Sequence, residues 1–436
     1  MAIISDTEVP ETGGLLAPPE RVTLQTRLQG IGAHTFSSLS NRDYKLFYQG
    51  NFVTQTGFWM QQVAFGWLVI ELSNNAFYLG LVGFFRALPV LLLSPFGGVL
   101  ADRHDRKKLI LWTQASSMII AVVLSLLVIT HSVRLWHLFV SSLLSGAVLA
   151  INNPTRQALV PQLVKRAQLS NAIALNSMSL NTSRIIGPAL AGALIGLIGI
   201  GGCLLLQAVG YIWALFNVGM ITVPPSTGTR TAGSVRQNLK EGFSYCYRTQ
   251  ALFLLLMVAT VPMVFAMPYS QLLPVFARSV FDIGAGGLGI LLSTMGAGAL
   301  LGSFGLAAFG DHVSKGVIML GSLISFGVLL CLFAAIHVFP LALLCLAGVG
   351  ACSSVYSTMN STMIQEIVPD HLRGRVMSIY MITFGLMPLG TLPGGKIAQV
   401  WGAPTAVFGG GAVCALFGLI ICITQPTLRG VPRATS

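Results

Sequence analysis

Apolar positions in this chain neither alternate nor form narrow stripes. They come as unbroken stretches separated by short polar breaks. A membrane-crossing helix needs about 20 mostly apolar residues, and that length recurs throughout. In the first half the stretches cover roughly 46–70, 77–100, 109–129, 135–159, 172–196 and 201–223. In the second they cover roughly 251–275, 286–309, 317–336, 339–361, 376–400 and 404–424. Barrel strands would be ten-residue segments of alternating polarity. The pattern therefore predicts an all-α integral membrane protein with twelve transmembrane helices. It divides the chain into a polar, disordered tail (1–40), a six-helix bundle (41–223), a central loop (224–250), a second six-helix bundle (251–425) and a C-terminal tail (426–436).

Composition agrees. Hydrophobic residues make up 54% of 436 positions, charged residues 9%, and the mean hydropathy of the chain is +0.77. Residues 1–40 carry prolines and four acids rather than the apolar core of a cleaved leader. Six of seven cysteines lie in apolar spans and Cys246 in the central loop, so no disulfide framework is expected. The histidines sit in loops or near span ends, which leaves no metal or catalytic cluster and no cofactor site to predict.

Charge fixes the expected orientation. Twelve spans put both termini on one side, and that side collects twenty Lys and Arg, while the other has only Arg134 and Arg278. Positive charge stays cytoplasmic, so both termini are expected inside. The net charge of +12 then reflects topology and anionic lipid. Nucleic-acid binding has no support, because the basic residues are spread over separate segments.

The chain also repeats. Asn152, Val160, Pro161 and Ser170 recur as Asn360, Val368, Pro369 and Ser378, offset by 208. Asp102 and Arg106 are echoed by Asp311 and Lys315, offset by 209. Two sets of six spans joined by a polar loop are the trace of a duplicated transporter. Within the loop, Val235, Leu239 and Phe243 at helical spacing beside Arg236 and Lys240 suggest a short helix on the membrane surface. Pro224 to Gly233 reads equally well as an unstructured linker.

The densest charge cluster, Asp102-Arg103-His104-Asp105-Arg106-Lys107-Lys108, lies between the second and third spans. With Gly98 before it, this stretch closely resembles the corresponding loop of major facilitator superfamily transporters, although Asp105 stands where that family usually has glycine. Asn41 to Phe47, Arg86-Ala87-Leu88-Pro89, Asn153 to Gln157, Arg184 to Gly192 and Val368 to Val376 resemble the bacterial efflux branch that includes the enterobactin exporter and macrolide-type pumps. The resemblance covers roughly residues 41–425. It implies a monomeric transporter of the cytoplasmic (inner) membrane that exports a small organic molecule, such as a siderophore or antibiotic. It further implies alternating access driven by the proton gradient.

Residue roles follow from that resemblance. Asp102, with Arg103, Arg106 and their echoes Asp311 and Lys315, would hold the cytoplasmic side closed against the positive N-terminal end of the eleventh helix. Gly98 would let the second helix approach the eleventh closely. The plainer reading is that Arg103 to Lys108 only anchor topology, and for Lys107 and Lys108 it is preferred. Gly187-Pro188 followed by Gly192 resembles an element associated with antiporters. Ordinary packing of small residues accounts for it equally well, as for Gly192…Gly196 and Gly298…Gly302.

Embedded charge marks candidate chemistry. Arg86 and Arg184 lie deep in apolar spans, where a cation faces a cavity or a partner. Ser177, Asn181 and Arg184 share a helical face, as do Asn51, Gln55, Phe58 and Gln62. Met263, Met267 and Gln271 are the matching surface in the seventh span. Lys396 is placed to snorkel outward. No acid sits at mid-membrane, so proton coupling would use Asp43, Glu71 or Glu366 at the cavity mouths, a proton on the substrate, or no proton at all. Two embedded arginines without an acid favour an anionic or hydrogen-bond-rich substrate. A lipid or metabolite carrier working inward stays open, as does a non-transporting sensor on the same fold. An enzyme does not, since no carboxylates or histidines cluster at one depth.

Overall fold

The computed structural model describes residues 37–223, 235–310 and 313–425. The first half contains α1 (Arg42–Ser73), α2 (Ala76–Arg103), α3 (Arg106–Ile129), α4 (Leu135–Leu163) and α5 (Leu169–Gly219). Next come α6 (Val235–Arg248), α7 (Gln250–Val261) and α8 (Tyr269–Val275). The remaining helices are α9 (Gly284–Phe309), α10 (Lys315–Ala335), α11 (Phe339–Ile367), α12 (Asp370–Phe384), α13 (Pro388–Trp401) and α14 (Ala403–Thr424). Among the described residues, ten segments are long and apolar enough to cross a membrane. One of these, Arg166–Gly219, is 54 residues long, and α1, at 32 residues, lies outside the ten.

Three boundaries differ from the sequence reading. The fifth and sixth spans are one 51-residue element that turns at Gly199, where φ is 71° and ψ 175°. Only glycine takes that backbone cheaply, and no run of polar residues marks the turn. The seventh span runs on to Val280 through two wide π-type turns, Pro262–Ala266 and Phe276–Val280. Pro262, Pro268 and Pro274 each remove a backbone donor there, which loosens regular α-helix. The eleventh span, expected as one helix, breaks between α12 and α13 around Gly385 to Met387, just before Pro388.

Helix ends follow local chemistry. Asn41 caps α1 by accepting from the Asp43 and Tyr44 amides, and Asp105 caps α3 by accepting from the Lys107 and Lys108 amides at 2.9 and 3.2 Å. That role explains an acid at Asp105. Lys107 Nζ donates to the Gly219 and Ile221 carbonyls at 2.8 and 2.7 Å, placing a cation at the C-terminal end of α5.

The duplication is visible in one contact. Arg106 Nη1 donates to the Ala158 carbonyl at the end of α4, 2.9 Å away. In the second half Lys315 pairs with Glu366 near the end of α11, and Glu366 is Ala158 displaced by 208. Asp311, the tails 1–36 and 426–436, and loop residues 224–234 lie outside the described residues, so those readings have no structural counterpart. Helix α6 forms as the sequence suggests, with Gly242 and Cys246 buried and Glu241 paired with Arg375 of α12. Phe243 is on the outer side of α6 and half exposed, not on its packed face.

Candidate transport pathway

The two halves meet tightly at one end of the molecule. On α2 and α13, a Cβ placed on Gly80 would collide with the Thr391 carbonyl oxygen, and one on Gly395 would stand 3.3 Å from Gly80 Cα. On α5 and α9, a Cβ on Gly289 would lie 2.5 Å from the Pro188 carbonyl oxygen, and Ser293 Oγ donates to the Ile185 carbonyl at 2.7 Å. Glycine, alanine and serine at such crossings let backbones approach within van der Waals range. All of these contacts lie at or beyond mid-helix, towards the end opposite the Asp102–Lys108 loop.

At the loop end the halves part. A Cβ on Gly98 would meet nothing within 4 Å, nor would one on Gly374 of α12. The close approach expected at Gly98 is therefore absent in this conformation, because the tight contact of α2 lies about five turns earlier, at Gly80. Asp102 is 65% exposed and, among the described residues, pairs with its own neighbour Arg106, at 3.7 Å. Arg103 is exposed on the same last turn.

Within the first half a pocket with about 590 Å³ of empty space, part of it open to solvent, penetrates between α1, α2, α3, α4 and the latter part of α5. Gln55 and Phe58 of α1 and Arg86 of α2 line it. Arg86 Nη1 donates to Gln62 Oε1 at 2.6 Å, and its guanidinium carbon stands 4.3 Å from the Phe58 ring centroid. Opposite are Asn152 and Arg156 of α4, Gln114 and Ser117 of α3, and Tyr211. Asn152 Nδ2 donates to Thr113 Oγ1, 2.7 Å away. Arg156 Nε is buried and has no hydrogen-bond partner among the described residues.

Other residues singled out from sequence are distributed differently. Asn51 is buried against α5, donating to Asn176 Oδ1 at 2.8 Å. Ser177 and Asn181 bond back to their own helix, at the carbonyls of Ile173 and Ser177. Met263 is buried, Met267 packs against the main hydrophobic core, and Gln271 faces Gly83 of α2. None of these lines the pocket. Arg184 lies apart from it, where its carbon stands 5.5 Å from the Trp59 ring centroid; its Nε is buried and without a partner among the described residues.

Gly187 packs on α1, a Cβ there falling 2.8 Å from the Thr56 carbonyl oxygen, and Gly192 packs on α9 at Gly286. Gly298 and Gly302 cross α11 closely, whereas Gly196 faces open space, so the expected crossing at Gly196 is absent. Asp43 accepts from the Thr222 amide at 3.2 Å, Glu366 pairs with Lys315, and Glu71 is exposed near the far end of α1. No described carboxylate lines the pocket. Lys396 bonds Gln399 at 3.1 Å, in keeping with an outward-reaching side chain.

Arg156 is the residue that sequence reading misplaced, as a topology charge at the end of the fourth span. The available signal was the polar series Ser145, Asn152 and Arg156, which falls on one face of a helix. Gln114 and Ser117 make the same kind of pair on α3.

A model of the transmembrane secretion effector family matches residues 33–431. The staphyloferrin A transporter of Staphylococcus aureus is 28% identical over 366 residues, covering 82% of this chain and 90% of that protein. Macrolide efflux protein A of Streptococcus pyogenes is 24% identical over 76% of this chain and 83% of its own length. The enterobactin exporter EntS of Escherichia coli is 24% identical over 83% of each. Among solved structures, a mutant of the nucleoside transporter NupG superposes with a TM-score of 0.74 at 12% identity, covering 87% of this chain and 99% of that one. An inward-facing bacterial homologue of ferroportin gives 0.67 at 16%, covering 88% and 98%. With nearly its whole length matched and the two-bundle helical fold shared, the chain belongs to the transmembrane secretion effector family of major facilitator transporters.

Proposed function

We propose that the protein is a secondary transporter that exports a small organic molecule across the bacterial cytoplasmic membrane by alternating access. The observation that carries this reading is the asymmetry of the two ends. The halves interlock through Gly80, Gly289 and Gly395 at one end and separate at Gly98 and Gly374 at the other. A polar pocket lies between the helices of the first half. The separated end carries Arg42, the Asp102–Lys108 loop, Lys165 and Arg373, so the positive-inside rule makes it cytoplasmic and the conformation inward-facing. Twelve crossings follow when the long α5 element, turned at Gly199, counts twice and α1 counts once. Both termini are then cytoplasmic. Relatives named for staphyloferrin A, macrolides and enterobactin support export of a siderophore or antibiotic-like molecule.

Energy coupling is part of the proposal. Asp43 and Glu366 have partners within the fold, and Glu71 is exposed. A driving proton thus travels through one of these end residues or on the substrate itself. Everted membrane vesicles with an imposed pH gradient provide the test. Accumulation of a siderophore or macrolide that collapses on adding a protonophore is the expected result. Gradient-independent retention equal to that of vesicles lacking the protein, across both compound classes, would remove the proposal.

Topology is checked separately. Cysteines introduced at Asn74 should react with membrane-impermeant maleimide in intact cells, and those at Lys107 only after permeabilisation; the reverse pattern would invert the assignment. For Arg184, beside Trp59 and with a buried Nε that has no partner among the described residues, we expect Arg184→Gln to reach the membrane normally but lower transport roughly tenfold. Arg184→Lys should recover only part, since a forked donor becomes a point charge. Normal transport by the glutamine variant would leave Arg184 a packing residue.

A further inference from the structure

The pocket in the first half holds two guanidinium groups and, among the described residues, no acid to balance them. Arg86 enters from α2 and Arg156 from α4, and both line the pocket together with Tyr211. Arg86 has found one neutral partner, Gln62, and one aromatic face, Phe58. Arg156 Nε is buried with none among the described residues. A buried donor left unmade is costly, more so when it belongs to a cation. Two such cations facing one pocket repel each other, and no described carboxylate lining the pocket offsets that repulsion.

The rest of the lining is just as one-sided. Tyr211 is within side-chain hydrogen-bonding reach of Ser117 and Gln207. Gln55, Gln114 and Asn152 add amides able to bond carboxylate or hydroxyl oxygens. A lipophilic cation would meet two like charges here, whereas a planar carboxylate matches each guanidinium fork in two parallel bonds. The apolar share of the wall, Phe58, Val148 and Leu149, suits a short carbon backbone between the charged ends.

We infer that Arg86 and Arg156 form a paired oxyanion site in the first-half pocket, and that the transported molecule is an organic acid carrying at least two carboxylates. This rests on the proposed transport reading, since it names that reading's substrate class and locates its binding in one half of the molecule. It also supplies an origin for coupling without a membrane-embedded acid, because a polycarboxylate can carry protons on its own oxygens.

Binding, measured apart from transport, tests it. Purified full-length protein in nanodiscs is titrated at fixed ionic strength with succinate, citrate and 1,2,3,4-butanetetracarboxylate, following heat and melting temperature. The neutral triamide of citrate and the cation tetraphenylphosphonium are the comparison probes. Saturable binding of one or more polycarboxylates is expected, with neither comparison probe bound at the same concentrations. Arg86→Gln and Arg156→Gln should each weaken that binding roughly ten- to a hundredfold. Arg156→Lys, which keeps the charge and loses the fork, should fall between.

The wild-type ranking needs no variant, so misfolding of a glutamine mutant leaves the test intact. If no polycarboxylate binds, if the triamide binds equally well, or if both glutamine variants bind like wild type, the site is refuted. Gradient-driven vesicle transport of some compound alongside such a result would sink this inference and leave the transport reading standing. Polycarboxylate binding without any vesicle transport would leave the paired-arginine site standing and remove the transport reading, and with it the claim that the bound acid is cargo.

Discussion

Gly80→Val should abolish transport, reducing it at least tenfold while the protein still inserts, and should trap the molecule open on the outer side. The position is buried where α2 crosses α13, and a Cβ there would collide with the backbone carbonyl of Thr391. A side chain could turn away from a bulky neighbour, but a helix carbonyl cannot, so the two helices must move apart. Overpacking a tight contact costs about 1–3 kcal/mol, and here the whole penalty falls on the state in which the outer ends are closed. An opposing state in which those ends separate escapes it, so the population moves outward by roughly 5- to 30-fold for each ~1–2 kcal/mol. Distances between spin labels at Asn74 and Gly402, at the outer ends of α1 and α13, should lengthen in the variant. Unchanged distances together with wild-type transport would mean that α2 and α13 never need to touch this closely.

That contact was not legible in the sequence, and the reason is instructive. Glycine in a membrane span announces that some neighbour comes close but not which one, so Gly98, Gly192, Gly196, Gly298 and Gly302 looked alike. The structure separates them by register. Gly192, Gly298 and Gly302 meet neighbouring backbones, while Gly98 and Gly196 face open space. Gly98 lies on the part of α2 that stands clear of α12 in this structure. The spans themselves were legible because hydrophobic length is a strong constraint in lipid. Their breaks were not, since a single glycine at Gly199 or the step from Gly385 to Pro388 interrupts a helix without interrupting its hydropathy.

The candidate site was half legible for a similar reason. Arg86 and Gln55 stood out because they are polar within apolar runs, and both line the pocket. Arg156 lies near the end of its span, among Lys165 and Arg166, and looked like one more topology charge. Helical periodicity over Ser145, Asn152 and Arg156 pointed the other way, and the structure places all three on the pocket wall. The stripe from Asn51 to Gln62 split instead, with Asn51 bonding α5 and Gln62 bonding Arg86. A wide helical face can serve two neighbours, and sequence spacing alone does not say where the division falls.

Asp102→Asn should produce the opposite trap. In this structure Asp102 is 65% exposed, with Arg106 at 3.7 Å as an ion-pair partner, and an exposed pair of that kind adds little to stability. Its removal should therefore leave folding, insertion and this conformation nearly unaffected. In the proposed transport cycle, closure of the inner ends would bring α2 towards α12 and its last-turn carboxylate towards the helix N-terminus around Asp370 and the exposed Arg373. A carboxylate at a helix N-terminus contributes about 0.3–1 kcal/mol, and a bond to a guanidinium adds about 1.5–3 kcal/mol. Asparagine keeps the shape and loses both terms. The expected result is normal surface expression, transport lowered about tenfold or more, and labels at His104 and Gly374 held further apart on average under turnover conditions. Asp102→Glu should retain most activity, because charge rather than length sets the effect. Full transport by the asparagine variant, with label distances like wild type, would reduce Asp102 to one more residue of the basic loop and remove it from the conformational cycle.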